Sequence, residues 1–423
     1  MRPIPHSFGA AGLRPVRPIR HQTIADIAAA AGVSKSTTSR VISGRGYASD
    51  EARARVLKVV DRVGYVPNEL AQSLKTRASR AVGVVISDLN NSFYAQVASG
   101  IEEVLRANGY RMVVCNTNGV GPEERNALRT LQSIRVGGVI LTPSAAPTNS
   151  LRNLVAQGVV VVEVDRQTTP ASCDAVLVSN EDGAYIAVSH LLRLGHRQVG
   201  ILVGETTLTT GAGRLAGYKR ALVDAGVKPA RRLISVTSFH GEGAQSAAGQ
   251  LLDGAPEMTA VFAANNVLAE GLFRELRVRE YRIPRDISMV AFDDLPWMEY
   301  ASPGISTMAQ PTRELGREAA NVLLARLRGE LTSPPVTRML PTRFVERSST
   351  GSPREGGVRE SAEQAGYEGI VPLLPDDVAE FVAFAVSRQP QIDVDELVVR
   401  PVAHADPHLV ALRVSGLGVD HDE

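Results

Sequence analysis

Thr-Ile-Ala-Asp-Ile-Ala-Ala-Ala-Ala-Gly-Val-Ser-Lys-Ser-Thr-Thr-Ser-Arg-Val-Ile-Ser-Gly, residues 23–44, decides how the amino-terminal part of the chain folds. Thr23 is placed to cap a helix, with Asp26 three residues on as its partner. Ile24, Ile27 and Ala28 then recur at helical spacing. The helix ends at Ala31-Gly32, because glycine accepts the left-handed backbone of a tight turn. Ser34 caps a second helix, Lys35 to Ser43, and Ser49 a third, whose Val56, Val59, Val60 and Val63 face the first two. Helix, short turn with glycine, helix is the helix-turn-helix pattern. On the second helix Lys35, Ser36, Thr37 and Arg40 fall on the first turns and one face. Side chains there reach base edges in a DNA major groove, Lys and Arg donating to guanine and Ser and Thr serving either kind of edge.

Outward from this head, charge is unevenly spread along the 423 residues. Residues 1–80 carry 14 Lys/Arg against 5 Asp/Glu, and residues 351–423 carry 5 against 14, although the whole chain is only +1. A basic head suggests a polyanion partner. Residues 1–22, broken by Pro3, Pro5, Pro15 and Pro18, lack periodicity and are expected to be a disordered arm with no secretory signal. No apolar run approaches the ~18–20 residues of a membrane span, so a cytoplasmic protein is expected. Cys115 and Cys173, the only cysteines, exclude a disulfide framework and a four-Cys zinc site, and both read as buried free thiols. Aromatics are 4% of the chain, too few for a large stacking platform for single strands.

From Ala81 the pattern changes to apolar strands alternating with amphipathic helices. Strands are expected at Ala81–Ser87, Tyr110–Asn116, Gly138–Thr142, Val159–Val164 and Ala175–Val178. A second series follows at His196–Val203, Leu233–Thr237, Ala260–Ala264 and Ser288–Phe292, with helices at Phe93–Asn108, Glu123–Ile134 and from Arg214. Near-continuous Val/Ile runs flanked by helices mean parallel sheets buried on both faces. The fold class is therefore α/β: two doubly wound parallel-sheet lobes over 81–350, an all-α head over 23–67 and a small tail. Residues 348–369 read as a linker by composition.

The string at 23–44, continued by Gly64-Tyr65-Val66-Pro67-Asn68 and Ala71-Gln72-Ser73-Leu74-Lys75, resembles the DNA-binding head of the lactose-repressor (LacI/GalR) family of bacterial transcription regulators. The resemblance spans residue 23 to about 350. It implies a homodimer whose two heads read a pseudo-palindromic operator in double-stranded DNA. The DNA-contacting positions it carries onto this chain are Thr23, Ser34, Lys35, Ser36, Thr37, Ser39 and Arg40, then Asn68, Ala71, Leu74 and Lys75. The segment 68–80 becomes a hinge helix and linker, too short to be stable alone, with Leu74 wedging between base pairs.

For the body, the resemblance implies a periplasmic-binding-protein-like fold with a small-molecule effector between lobes. Ligands of open α/β sheets bind at the carboxyl ends of strands. The candidates there are Phe93, Tyr94, Asp165, Thr210, Arg214, Phe239, Asn265, Asp293 and Trp297. In the resembled family the Arg214 position clamps the effector, Asp293 accepts hydrogen bonds from it and Phe239 walls it. A guanidinium with a facing carboxylate suits a polyhydroxylated or polar small molecule. That it is a sugar or sugar derivative is what the resemblance implies, not what any one residue shows. Leu208 stands where purine-type members carry arginine, and Asn266 where an aspartate is usual.

Other features carry less. Gly211-x-Gly213-x-x-x-Gly217 lacks the spacing of a dinucleotide fingerprint, so no cofactor is expected. His404 and His408 have Pro407 between them and no third ligand, so no metal is expected. His190 and His196 read as solvated or capping histidines. In the tail, Pro375-Asp376-Asp377 opens an apparent helix and Val394–Val402 reads as a strand. The string from Leu373 through Pro401 resembles the end of a short-chain dehydrogenase. That family's glycine-rich turn and Tyr-x-x-x-Lys pair are absent, so 351–423 is read as a linker and tail fragment without reductase activity, and the protein as no enzyme.

Overall fold

The computed structural model of the protein describes residues 22–44, 46–65, 79–144, 149–168, 173–238 and 243–354, with two short strands at Val398–Val399 and Leu412–Arg413. Nearly all of the expected arm, the hinge residues Asn68, Ala71, Leu74 and Lys75, the wall residue Phe239 and the tail helix from Pro375 lie outside the described residues. The two short strands pair antiparallel, the first within the strand expected at Val394–Val402.

The head has three helices, α1 (Ile24–Ala31), α2 (Lys35–Ser43) and α3 (Asp50–Val63), each starting at its expected cap. Thr23 and Asp26 close a capping box: Thr23 Oγ1 accepts from Asp26 N (3.4 Å) and Thr23 N donates to the Asp26 carboxylate (2.8 Å). Ser34 Oγ accepts from Thr37 N (3.1 Å), and Ser49 Oγ from Ala52 N (3.3 Å). Each such cap contributes about 1 kcal/mol. Gly32 ends α1 at φ 64°, where a Cβ would be strained. Ile27, Ala31, Val41, Val56 and Val59 form the head's own small core. Little apolar area is available in so small a unit, so the caps matter more here than they would in the body.

Two six-stranded sheets make up the body. The first holds β1 (Ala81–Ile86), β2 (Arg111–Asn116), β3 (Gly138–Leu141), β4 (Val160–Val164), β5 (Asp174–Val178) and β11 (Thr337–Leu340), in the order β11-β5-β4-β3-β1-β2. All its pairs are parallel. In the second, β6 (Val199–Val203), β7 (Ile234–Val236), β8 (Ala260–Ala263), β9 (Ser288–Phe292), β10 (Ser306–Ala309) and β12 (Arg343–Val345) run β12-β10-β9-β8-β6-β7. Only β12 is antiparallel to its neighbour. Both are doubly wound sheets whose order reverses beside the first strand, between β1 and β3 and between β6 and β8. Apolar clusters line each sheet on both faces, which is why the strands read as unbroken Val/Ile runs.

These sheets belong to two units that exchange chain three times. One runs to Val178 and includes Pro311–Leu340; the other is Ser179–Gln310 with the residues from Pro341. The helix Thr312–Leu327 therefore packs on the first unit, against the helix Ser92–Ala107. Gly100 and Gly316 are what allow it: a Cβ on either would run into the carbonyl of Arg313 or of Val97.

Several expectations are corrected. The helix expected from Arg214 begins at Thr209, because Gly211 and Gly213 hide its helical period. Gly217 lets that helix approach the helix Asn180–Arg193, since a Cβ there would meet the Glu181 carbonyl, so the glycine string is a packing seam. The strand expected from His196 starts at Val199, and His196 itself is buried rather than solvated. His190 is buried too, with Nε2 3.0 Å from Thr350 Oγ1. His196 Nε2 donates to the Gly351 carbonyl (2.8 Å), which leaves Nδ1 to accept from Thr259 Oγ1 (2.8 Å). The linker expected from Ser348 is likewise overturned at its start: Ser349 is fully buried and donates to the Met289 carbonyl (2.6 Å). Cys173 is buried as expected, but Cys115, on the edge strand β2, is half-exposed.

Candidate functional site

On the head, Lys35, Ser36 and Arg40 are exposed along α2 and Thr37 and Ser39 partly so, while Thr38 and Val41 turn into the core. Ser36 and Thr37 present their hydroxyls beside the Ser34 hydroxyl, each 2.8 Å away. Ser34 and Thr23 thus hold the ends of α2 and α1 while standing at the exposed surface. Exposed Arg55, Lys58 and Arg62 on α3 add to the positive charge of the head. A capped helix with its amino-terminal residues bare, on a basic domain, has the chemistry of a base-reading helix with flanking phosphate contacts.

In the body the candidates fall into two groups, one per unit, at the carboxyl ends of the strands. In the first unit the chain turns sharply after β4. Asp165 takes a left-handed backbone, φ 68°, and is 4% exposed. Tyr94 Oη donates to Asp165 Oδ2 (3.2 Å), and Arg166 Nε lies 3.5 Å from the same oxygen. Burial and the neighbouring carboxylate push the Tyr94 phenol well above its usual range, although Arg166 opposes this, so Tyr94 acts as a donor. Arg166 also reaches the Pro143 carbonyl (3.4 Å) after β3. Beside these, Thr142 Oγ1 is buried with no hydrogen-bond partner among the described residues. Phe93 is 4% exposed, stacks edge-on against Tyr94 and belongs to the core cluster under the sheet.

In the second unit, Thr210 and Arg214 sit one turn apart on the same face of the helix Thr209–Asp224. Arg214 is 3% exposed. Its Nε donates to Asn180 Oδ1 (2.8 Å), its Nη1 donates to the Ala264 carbonyl (2.6 Å), and the guanidinium lies over the Phe292 ring at 3.8 Å. It therefore bridges from the helix after β6 to the end of β8, where the strand order reverses and ligands of such sheets collect. Thr210 Oγ1 is buried without a partner among the described residues. Asp293, after β9, also has a left-handed backbone, φ 75°. Its Oδ2 accepts from Asn266 N (2.9 Å) and its Oδ1 from Gln310 Nε2. Asn265 Oδ1 accepts from Leu268 N (2.8 Å), capping the helix Asn266–Val278. Asp294 is held by a two-point ion pair with Arg347 (2.7 and 3.1 Å) and is structural. Trp297 is half-buried, 5.7 Å from the Phe273 ring and packed on the core. A cavity of about 300 Å³ opens at the other, amino-terminal ends of β6 and β7, among Arg197, Lys228 and Arg232, and contains none of these residues.

Sequence reasoning passed over Arg166, Asn180 and Gln310, although each holds a predicted residue in place. Arg166 is the next residue after Asp165. Asn180 and Gln310 follow strands β5 and β10 at points where the chain changes unit, a signal that needs the topology to be seen.

Two family models match the chain. Residues 23–68 match "Bacterial regulatory proteins, lacI family", and residues 188–350 match "Periplasmic binding protein-like domain". A transcriptional repressor from Vibrio atlanticus, PurR, is 33% identical over 329 residues, 77% of this chain and 98% of that protein. The chain belongs to the LacI family of bacterial transcription regulators. Two solved structures of transcription regulators align over most of its length. A complex of the regulator CelR with cellobiose has TM-score 0.60 and 32% identity, covering 78% of this chain and 99% of that one. The lac repressor dimer bound to operator and the anti-inducer ONPF has TM-score 0.70 and 26% identity, covering 79% and 100%. In this LacI-family regulator no helix among the described residues is long and apolar enough to cross a membrane. Nor do the described residues hold any group of three or more His, Cys, Asp or Glu placed for a metal ion.

Proposed function

We propose that this LacI-family regulator is a homodimeric repressor that reads a pseudo-palindromic operator through α2, and that a neutral polyhydroxylated effector, a sugar or sugar derivative, sets its operator affinity. The observation that carries the effector half is Arg214. A buried guanidinium, oriented by Asn180 and the Ala264 carbonyl and preceded along its helix face by the Thr210 hydroxyl, which has no partner among the described residues, is a prepared polar site. The relative CelR holds cellobiose, which favours a sugar. Leu208, half-buried and packed on the core where purine-type members are expected to carry arginine, disfavours a purine base despite the likeness to PurR. Dimer symmetry would impose operator symmetry. Effector and operator affinities would be reciprocally linked, by about 1–3 kcal/mol in a typical case.

The test is a thermal-shift screen of the full chain against cellobiose, other sugars, sugar acids, polyols and nucleosides, followed by operator gel shifts with each hit. A sugar that stabilises the protein and changes operator affinity, both effects vanishing in Arg214→Ala, is the expected outcome. A nucleoside as the only hit would reject the sugar assignment. Steady turnover of NADPH by the purified chain would reject the reading of the protein as no enzyme.

A further inference from the structure

Strand β4 reads Val-Val-Val-Glu-Val and is buried on both faces, so its one ionisable residue, Glu163, needs an explanation. Val162 and Val164 point into one core cluster and Val161 into the other, so Glu163 shares the second, apolar side with Leu141, Leu151 and Cys173. Its exposure is 0%, and no basic side chain pairs with it among the described residues. Among the described residues, every hydrogen bond of its carboxylate goes to one residue. Thr168 Oγ1 donates to Oε1 (2.5 Å), and Thr168 N donates to Oε2 (3.2 Å). An unpaired buried carboxyl is costly in a core. Burial accordingly raises its pKa, against the pull of Thr168 and helped by Glu124.

What that cost maintains is the turn between Glu163 and Thr168. The turn contains Asp165 in its left-handed conformation and Arg166, whose amide donates back to the Val164 carbonyl (2.7 Å). A left-handed non-glycine residue persists only where its surroundings over-determine it. Glu163 supplies such a constraint from beneath, by fixing the far end of the turn. The loop after β3 is treated alike: buried Glu124 accepts from Ser144 N (2.7 Å), and the two loops meet where Arg166 reaches the Pro143 carbonyl.

We propose that Glu163 is a positioning residue of the effector site, its carboxylate clasping Thr168 so that Asp165 and Arg166 are held in binding geometry before ligand arrives. This rests on the effector reading of the Asp165 end given above. A carboxyl kept for packing alone would be replaced by leucine without local consequence. A clasp would not.

The experiment uses the full chain with Glu163→Leu, Thr168→Val and Glu163→Gln, and two readouts. Amide exchange is followed by mass spectrometry over 160–168, and cellobiose, the probe, is titrated calorimetrically. In Glu163→Leu and Thr168→Val, exchange at the turn should rise about tenfold while β1 and β3 stay protected. Cellobiose should bind about tenfold more weakly without a lower melting temperature in Glu163→Leu. Glu163→Gln, which keeps an acceptor for Thr168, should recover part of both. Unchanged exchange at the turn in Thr168→Val overturns the proposal, and so does faster exchange with undiminished cellobiose affinity. If neither cellobiose nor any other sugar binds the wild-type chain, the effector reading fails, and exchange alone then decides whether Glu163 holds the turn. Thr168→Val serves if Glu163→Leu does not fold.

Discussion

Asp165 and Asp293 occupy matching places in the two sheets. Each follows the fourth strand counted from the same edge, each is buried, and each has a left-handed backbone. Their surroundings differ. Asp165 has a guanidinium and a phenol on its carboxylate; Asp293 has a backbone amide and a side-chain amide. The first is a locally neutralised ion pair, whereas the second is a carboxyl held by amide dipoles, and Arg214 donates to Asn180 and the Ala264 carbonyl. A doubly wound sheet thus fixes where a carboxylate stands, and the loops decide what kind of acceptor it is.

The largest expected effect concerns Arg214. Arg214→Ala strips donors from Asn180 and the Ala264 carbonyl and uncovers Phe292, and should cost about 3 kcal/mol in urea denaturation. A loss below about 1 kcal/mol would mean that Arg214 is not embedded as described. Next comes the contrast itself. Asp165→Asn removes the negative charge beside a buried guanidinium and should cost about 2 kcal/mol. Asp293→Asn keeps an oxygen for Asn266 N and should cost about 1 kcal/mol. Equal losses would dissolve the distinction between the two acceptors.

The smallest effect is the pH response, which should have opposite sign in the two units. Burial lowers the pKa of His190 and His196 from 6.5, so their contribution is complete above that pH and is lost as pH falls through it. Burial raises Glu163 and Glu124 from 4.5, so their contribution is present below that pH and lost as pH rises. Between pH 4.5 and 6.5, stability should therefore rise more steeply with pH in Glu163→Gln and less steeply in His196→Gln than in the wild type. One proton bounds each change at about 1.4 kcal/mol per pH unit. Parallel profiles in all three proteins would contradict the burial that shifts these groups.

How much of this could be read beforehand depended on how local each signal was. The caps Thr23, Ser34 and Ser49 and the end at Gly32 were legible because capping is written within four residues. Asp165, Arg214 and Asp293 could be found because residues after apolar strands face the ligand end of such sheets. Strands β11 and β12 left no comparable trace, since both lie at sheet edges, β11 largely exposed and β12 only partly buried, so neither carries an unbroken apolar run. Asn180 and Gln310 were missed for a related reason: their roles follow from where the chain leaves one unit for the other. Glu163 was hidden inside a valine run whose overall period was read correctly. His196 and Ser349, both polar, read as surface positions, but their partners lie far along the sequence.

The three exchanges of chain between units also set an order of events during synthesis. The second unit is nearly contiguous, but the first lacks β11 and the helix Thr312–Leu327 until all of Ser179–Gln310 has been made. At ~5–20 residues per second the ribosome needs roughly seven to twenty-six seconds for that stretch. Throughout it, the side chains of Val97 and Ile101, which later meet Leu315 and Ala319, have no cover from their final neighbours. The nascent regulator therefore presents an unfinished apolar face early and completes it late, a window in which chaperones and self-association compete for the same surface.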